Sequence, residues 1–62
     1  MKFTRKQKQM AKVNTKEALK RVYESTEKAL KLAARRNDKK GMNRTMKIHQ
    51  DVEYALLLKE ME

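Results

Sequence analysis

The sequence predicts an all-α fold, in which a basic N-terminal arm precedes an antiparallel two-helix hairpin. Three observations predict it. The 62 residues include no proline and one glycine, and most of the others favour helix. Apolar residues recur at spacings of three and four. The single glycine, Gly41, lies between two such segments. Because cysteine is absent, helix packing must hold this one small domain together without disulfides.

The arm, residues 1–13, carries five bases and no acid. These bases are Lys2, Arg5, Lys6, Lys8 and Lys12. A segment of this composition is typically flexible or only transiently helical, and it can neutralise phosphates and become ordered on contact. A solvated, disordered terminus is the alternative interpretation of the same charges.

The first hairpin helix is predicted at about 14–40. Thr4 with Gln7 and Asn14 with Glu17 both fit a helix-capping pattern, and we expect the stable helix to begin at Asn14. Gly41 can adopt the left-handed conformation that ends a helix. The hairpin, 14–62, is therefore predicted to turn at 41–43 and to continue as a second helix at about 44–61.

The second helix is apolar on more than one side, so a single partner helix cannot cover it. Leu19 in the first helix also lacks a facing residue in the predicted hairpin. We therefore expect the hairpin to dimerise into a four-helix bundle or to dock onto a larger protein. The residues expected at this interface are Leu19, Tyr54, Leu57, Leu58 and Met61.

A second basic cluster surrounds the predicted turn. Its members are Arg35, Arg36, Lys39, Lys40, Arg44 and Lys47. Bases at the end of a helix are explained by the helix dipole, which favours cations there. The dipole disfavours Arg44 and Lys47 at the start of the next helix, and their presence indicates an anionic partner. A merely solvated turn is the alternative.

Several classes of protein find no support in the sequence. No enzyme motif is present, so we expect neither catalytic residues nor a cofactor. His49 is the only histidine, and a metal site would need more ligands of suitable type. The longest apolar run, residues 55–58, is too short to cross a membrane. With no signal peptide evident, we expect a cytoplasmic location.

Net charge of +9 therefore favours a small, non-catalytic module that binds DNA or RNA. Binding would act through phosphates with low sequence specificity, because only three aromatic residues are available for base stacking. Two basic clusters could also bridge or anneal strands. The alternative is an interaction adaptor that docks on another protein through the apolar faces of its helices.

Overall fold

A computed structural model describes residues 2–61, which form three helices and no strand. They are α1 (Arg5–Val13), α2 (Lys16–Arg35) and α3 (Lys39–Met61). The prediction of an all-α fold is confirmed. The predicted two-helix hairpin is incomplete, because the N-terminal arm contains a third helix. Within residues 2–61, no helix combines the length and apolar character needed to cross a membrane.

Helix α1 begins at a complete capping box. The Thr4 hydroxyl accepts a hydrogen bond from the Gln7 backbone N–H (3.1 Å), and the Gln7 side chain accepts one from the Thr4 N–H (3.0 Å). At the other end the Asn14 side chain donates to the Met10 carbonyl oxygen. The expected helix start at Asn14 was therefore wrong: Asn14 ends α1, and Thr15 caps α2 by accepting from the Ala18 N–H.

The turn between the long helices lies at residues 36–38 and not at 41–43. Asn37 has a φ of 56°, in the left-handed region that ends many helices. Its N–H bonds to the Ala34 carbonyl oxygen (3.2 Å), and the Asp38 N–H bonds to that of Ala33 (2.9 Å). These two bonds are those of a Schellman motif, so α2 ends at Arg35, five residues before its predicted end.

Gly41 was predicted to end the first long helix, but it lies in the first turn of α3. The Asp38 carboxylate accepts a hydrogen bond from the Gly41 N–H (3.0 Å) and so caps α3. A Cβ atom at residue 41 would collide with that carboxylate. Glycine therefore permits close approach of the cap, and Asn43, in the predicted turn at 41–43, lies inside the helix.

The core lies where all three helices meet. Ala11 of α1, Leu19 of α2, and Val52 and Ala55 of α3 are each less than 5% exposed. Helices α2 and α3 pack antiparallel around the turn, and α1 packs on another side of α3. Leu19 was expected to lack a covering residue, and this was wrong, because the arm folds into a helix whose Ala11 completes the cluster around it.

Candidate nucleic-acid interface

Gln7 fixes α1 on α3. Its side chain is 5% exposed and bonds in two directions, accepting from the Thr4 N–H and donating to the Asp51 carboxylate (3.0 Å). The Lys6 ammonium lies 4.0 Å from the other oxygen of Asp51. The ring of Phe3, just before α1, packs edge-on against that of Tyr54, with centroids 6.1 Å apart. The arm is thus tied to α3 at residues 51 and 54.

This docking determines which bases of α1 face solvent. Gln7 and Ala11 are buried, so the helical period of 100° per residue places Arg5 and Lys12 toward the outer side and Lys8 at the edge of the buried side. All three are exposed, as are Lys2 and Lys6. Lys8 and Lys12 line a groove of about 500 Å³ together with Lys59 of α3. Lys59, which belongs to neither predicted cluster, therefore lies beside the bases of the arm.

Three bases of the turn cluster share one line along α3. Lys40, Arg44 and Lys47 are spaced by four and three residues, and Asp51 follows four residues later on the same line. Because Asp51 holds α1 through Gln7, this line leads directly to the start of α1. Lys40 and Asp51 are about 17 Å apart along the helix at 1.5 Å per residue. Three bases of the turn cluster therefore lie on the line of α3 that leads to Lys6, one base of the arm.

The other members of the turn cluster lie off this line. Arg35 is the last residue of α2, Arg36 lies in the turn, and Lys39 is the first residue of α3. All of them are exposed. Within residues 2–61, Lys6 with Asp51 is the only ion pair within 4.0 Å. The other bases of both clusters are thus without an acidic partner at that distance among the described residues.

The predicted interface residues divide into three groups. Leu19 belongs to the core cluster, and Leu58 packs against that cluster. Tyr54 is half-buried beneath Phe3. Leu57 and Met61 remain 36% and 70% exposed. Helix α1 thus covers part of the apolar surface that was expected to need a partner chain.

His49 belongs to the packing between α2 and α3. Its ring stacks on that of Tyr23 with centroids 4.2 Å apart, and its Nδ1 lies 2.7 Å from the Thr26 hydroxyl oxygen. That hydroxyl donates its only hydrogen to the Tyr23 carbonyl oxygen (2.9 Å). His49 Nδ1 is therefore the donor to Thr26. The structure thus uses this histidine to join the two long helices.

Comparison with known proteins gives no relative from which a function could be transferred. The chain matches no protein-family model. Searches of curated proteins and of solved structures give no significant match. The feature of the surface that most invites a functional interpretation is the line of exposed bases that runs along α3 to α1.

Proposed function

We propose that this protein is a small, non-catalytic nucleic-acid-binding module that contacts the phosphates of DNA or RNA. The observation that carries the proposal is the line of Lys40, Arg44 and Lys47, which leads to the start of α1 at Lys6. Exposed bases spaced along one surface can neutralise successive phosphates of a single polymer. We place this activity in the cytoplasm as part of the same proposal.

Helix α1 supplies the second part of the surface. Lys8 and Lys12 line a groove with Lys59, and Arg5 lies on the outer side of the same helix. Because α1 is already folded and docked, binding need not order this segment, and less conformational entropy is lost on association. Lys2 precedes the helix and adds charge next to it.

Low sequence specificity follows from where the aromatic rings lie. Phe3 packs against Tyr54, and Tyr23 stacks on His49, so all three aromatic residues have intramolecular ring partners. Proteins that bind single strands commonly stack bases on exposed aromatic rings. A surface without such rings favours contacts to phosphate, which carry no direct sequence information.

The arrangement also bears on whether the protein bridges two strands. Bridging requires two separate binding surfaces, and the predicted helix at 14–40 would keep the arm and the turn apart at its two ends. In the folded chain, Lys47 and Lys6 both lie close to Asp51. One polymer lying along both clusters is therefore the favoured mode.

The experiment is a titration of fluorescently labelled single- and double-stranded DNA and RNA, read by anisotropy at three salt concentrations. We expect affinity to fall steeply with salt, with a logarithmic slope close to the number of phosphates neutralised. Replacing Lys40, Arg44 and Lys47 together by Gln should weaken binding at least tenfold at moderate salt. Each of these side chains is exposed, so the variant should keep its helicity.

A matched variant controls for net charge. Lys16, Lys20 and Lys31 are exposed bases of α2, and changing them to Gln removes the same three charges from another surface. We expect this variant to bind within about threefold of the unchanged protein. Equal losses in both variants would show that only overall charge matters, and absence of binding at low salt would overturn the proposal.

A second candidate function is association through the third side of α3. Met46, Leu57 and Met61 are 51%, 36% and 70% exposed and lie on one side of the helix by their spacing. This surface fits the predicted dimer, or an adaptor that docks on a larger protein. If it mediates self-association, Leu57→Asp should lower the mass measured by sedimentation equilibrium. The same mass for both forms would exclude this side as a self-association surface.

A further inference from the structure

An open groove lies between α2 and α3 beside the turn. It has a volume of about 300 Å³. Ala29 and Leu32 contribute to its α2 wall, and Gly41 and Thr45 to its α3 wall. Arg36 lies at the end next to the turn.

The apolar floor extends beyond this groove along both helices. Val22 lies seven residues before Ala29, and Ile48 lies seven residues after Gly41, so each shares a helix face with a groove residue. Val22, Leu32 and Ile48 are 41%, 50% and 46% exposed. From Val22 to Leu32 the floor is about 15 Å long at 1.5 Å per residue. It therefore has the length of about three turns of helix.

Basic residues flank this floor on both sides. On the α3 side they are Lys40, Arg44 and Lys47, and on the α2 side they are Arg21, Lys28 and Arg36. The one acid in the groove is Asp38, whose carboxylate caps α3. Glu17 and Glu24 lie four residues before Arg21 and Lys28, about 40° farther from the floor by the helical period, so the bases are the charged groups of α2 nearest to the floor. The floor is thus apolar and its edges are cationic.

The chain itself shows how this surface is covered elsewhere. Thr45, Ile48, Val52 and Ala55 follow one line of α3 at spacings of three and four. Val52 and Ala55 are 0% exposed, in one cluster with Ala11 of α1. Since α1 docks at Asp51 and continues toward Leu58, it leaves Ile48 uncovered. The open floor is thus a continuation of a surface on which a helix already packs.

We propose that the open floor binds an acidic amphipathic helix of another protein, about three turns long and roughly in line with α1. Its apolar side would pack on Val22, Leu32 and Ile48, and its carboxylates would meet the bases on both flanks. A second copy of this chain fits less well, because a chain with net charge +9 would bring further bases to a cationic rim. This inference does not depend on nucleic-acid binding.

The test uses a fluorescently labelled peptide of about 11 residues, three turns of helix, with leucines at spacings of three and four and glutamates at the other positions. A peptide of the same composition with its leucines scrambled is the control. We expect the patterned peptide to bind at least tenfold more tightly than the scrambled one. Equal affinities would mean that charge alone attracts the peptide, and the proposal would be overturned.

Floor variants separate this site from the nucleic-acid surface. Leu32→Gln and Ile48→Gln, made singly, should each weaken peptide binding at least fivefold, and both positions are exposed enough for the fold to persist. Neither variant should change affinity for DNA or RNA. If both variants bind the peptide normally, the acidic-helix proposal is wrong. It is also wrong if the protein binds nucleic acid but not the peptide. Binding of the peptide without binding of nucleic acid would refute only the function proposed above.

Discussion

The apolar residues Ile48, Val52 and Ala55 follow one side of α3, and α1 covers only the last two of them. Val52 and Ala55 are 0% exposed, whereas Ile48, one turn earlier on the same line, is 46% exposed. All three side chains are apolar and belong to the same helix, so their composition does not explain the difference. The cause is α1, whose nine residues dock from Asp51 onward. The position of this short helix decides where the core is complete.

The two ends are accordingly stabilised by different interactions. At the closed end, three helices bury a common cluster, and burial of apolar area is the main favourable contribution. At the open end only α2 and α3 are present, and the Schellman bonds of Asn37 and the Asp38 cap order the turn. We therefore expect substitutions at the closed end to act through packing and those at the open end to act through backbone conformation.

The largest effect is expected from truncating a leucine at the closed end. Leu19→Ala removes a side chain that is 1% exposed and should cost about 2–5 kcal/mol of the free energy of unfolding. Such a loss is comparable with the entire stability of a domain of this size. Circular dichroism at 25 °C should therefore show a large unfolded fraction.

Leu32→Ala is the matched control at the open end. Leu32 is 50% exposed, so the same truncation should change the free energy of unfolding by less than about 0.5 kcal/mol in urea denaturation. Similar losses in the two variants would show that the two ends are equally well packed, contrary to the structure.

An intermediate effect is expected at the hydrogen bonds that dock α1. Gln7→Ala removes half of the capping box and the bond to Asp51, and it should cost about 1–2 kcal/mol, measured by urea denaturation. Gln9→Ala, an exposed position in the same helix, should cost less than about 0.5 kcal/mol. A Gln7 variant as stable as the Gln9 variant would argue against docking through Gln7.

Among the three residues that the structure uses for packing or hydrogen bonding, the smallest effect is expected at Asn37, in the turn at the open end. Asn37→Ala places an alanine in the left-handed conformation and should cost about 1 kcal/mol. Asn37→Gly should be neutral or slightly stabilising, because glycine adopts positive φ without steric cost. Thermal unfolding of the two variants measures the difference. If the alanine and glycine variants had the same melting temperature, Asn37 would be in an ordinary helical conformation.

Local sequence signals predicted the two long helices but not their boundaries, and they did not predict α1 as a stable helix. Asn37 with Asp38 and Gly41 with Asn43 are both plausible turns, and only the Asp38 side chain folding over Gly41 decides between them. The start of α1 at Thr4 was similarly hidden. Its capping box resembled the pattern at Asn14, and what distinguishes it is a bond from Gln7 to Asp51, 44 residues away. The residues around Thr4 cannot by themselves predict this long-range hydrogen bond.

The candidate site could be predicted in composition but not in arrangement. Arg44 and Lys47 were recognisable from their unfavourable position at the predicted helix start, whereas Lys40 was assigned to the end of the preceding helix, where the dipole favours a cation. Their alignment with the arm could not be predicted, because it depends on where α1 docks. Lys59 was missed for the same reason, since it joins Lys8 and Lys12 only when α1 lies on α3. Exposed Ile48 was missed because the length of α1 was unknown.

Amide hydrogen exchange, followed residue by residue by NMR, tests most directly whether α1 is a docked helix. In the structure the amides of residues 8–13 are hydrogen-bonded within α1, and α1 packs on α3. We predict that these amides exchange much more slowly than an unfolded chain and are slowed to a similar degree as those around Val52. Exchange of residues 8–13 at unfolded-chain rates, beside a protected α2 and α3, would contradict the account and restore a two-helix hairpin with a flexible arm.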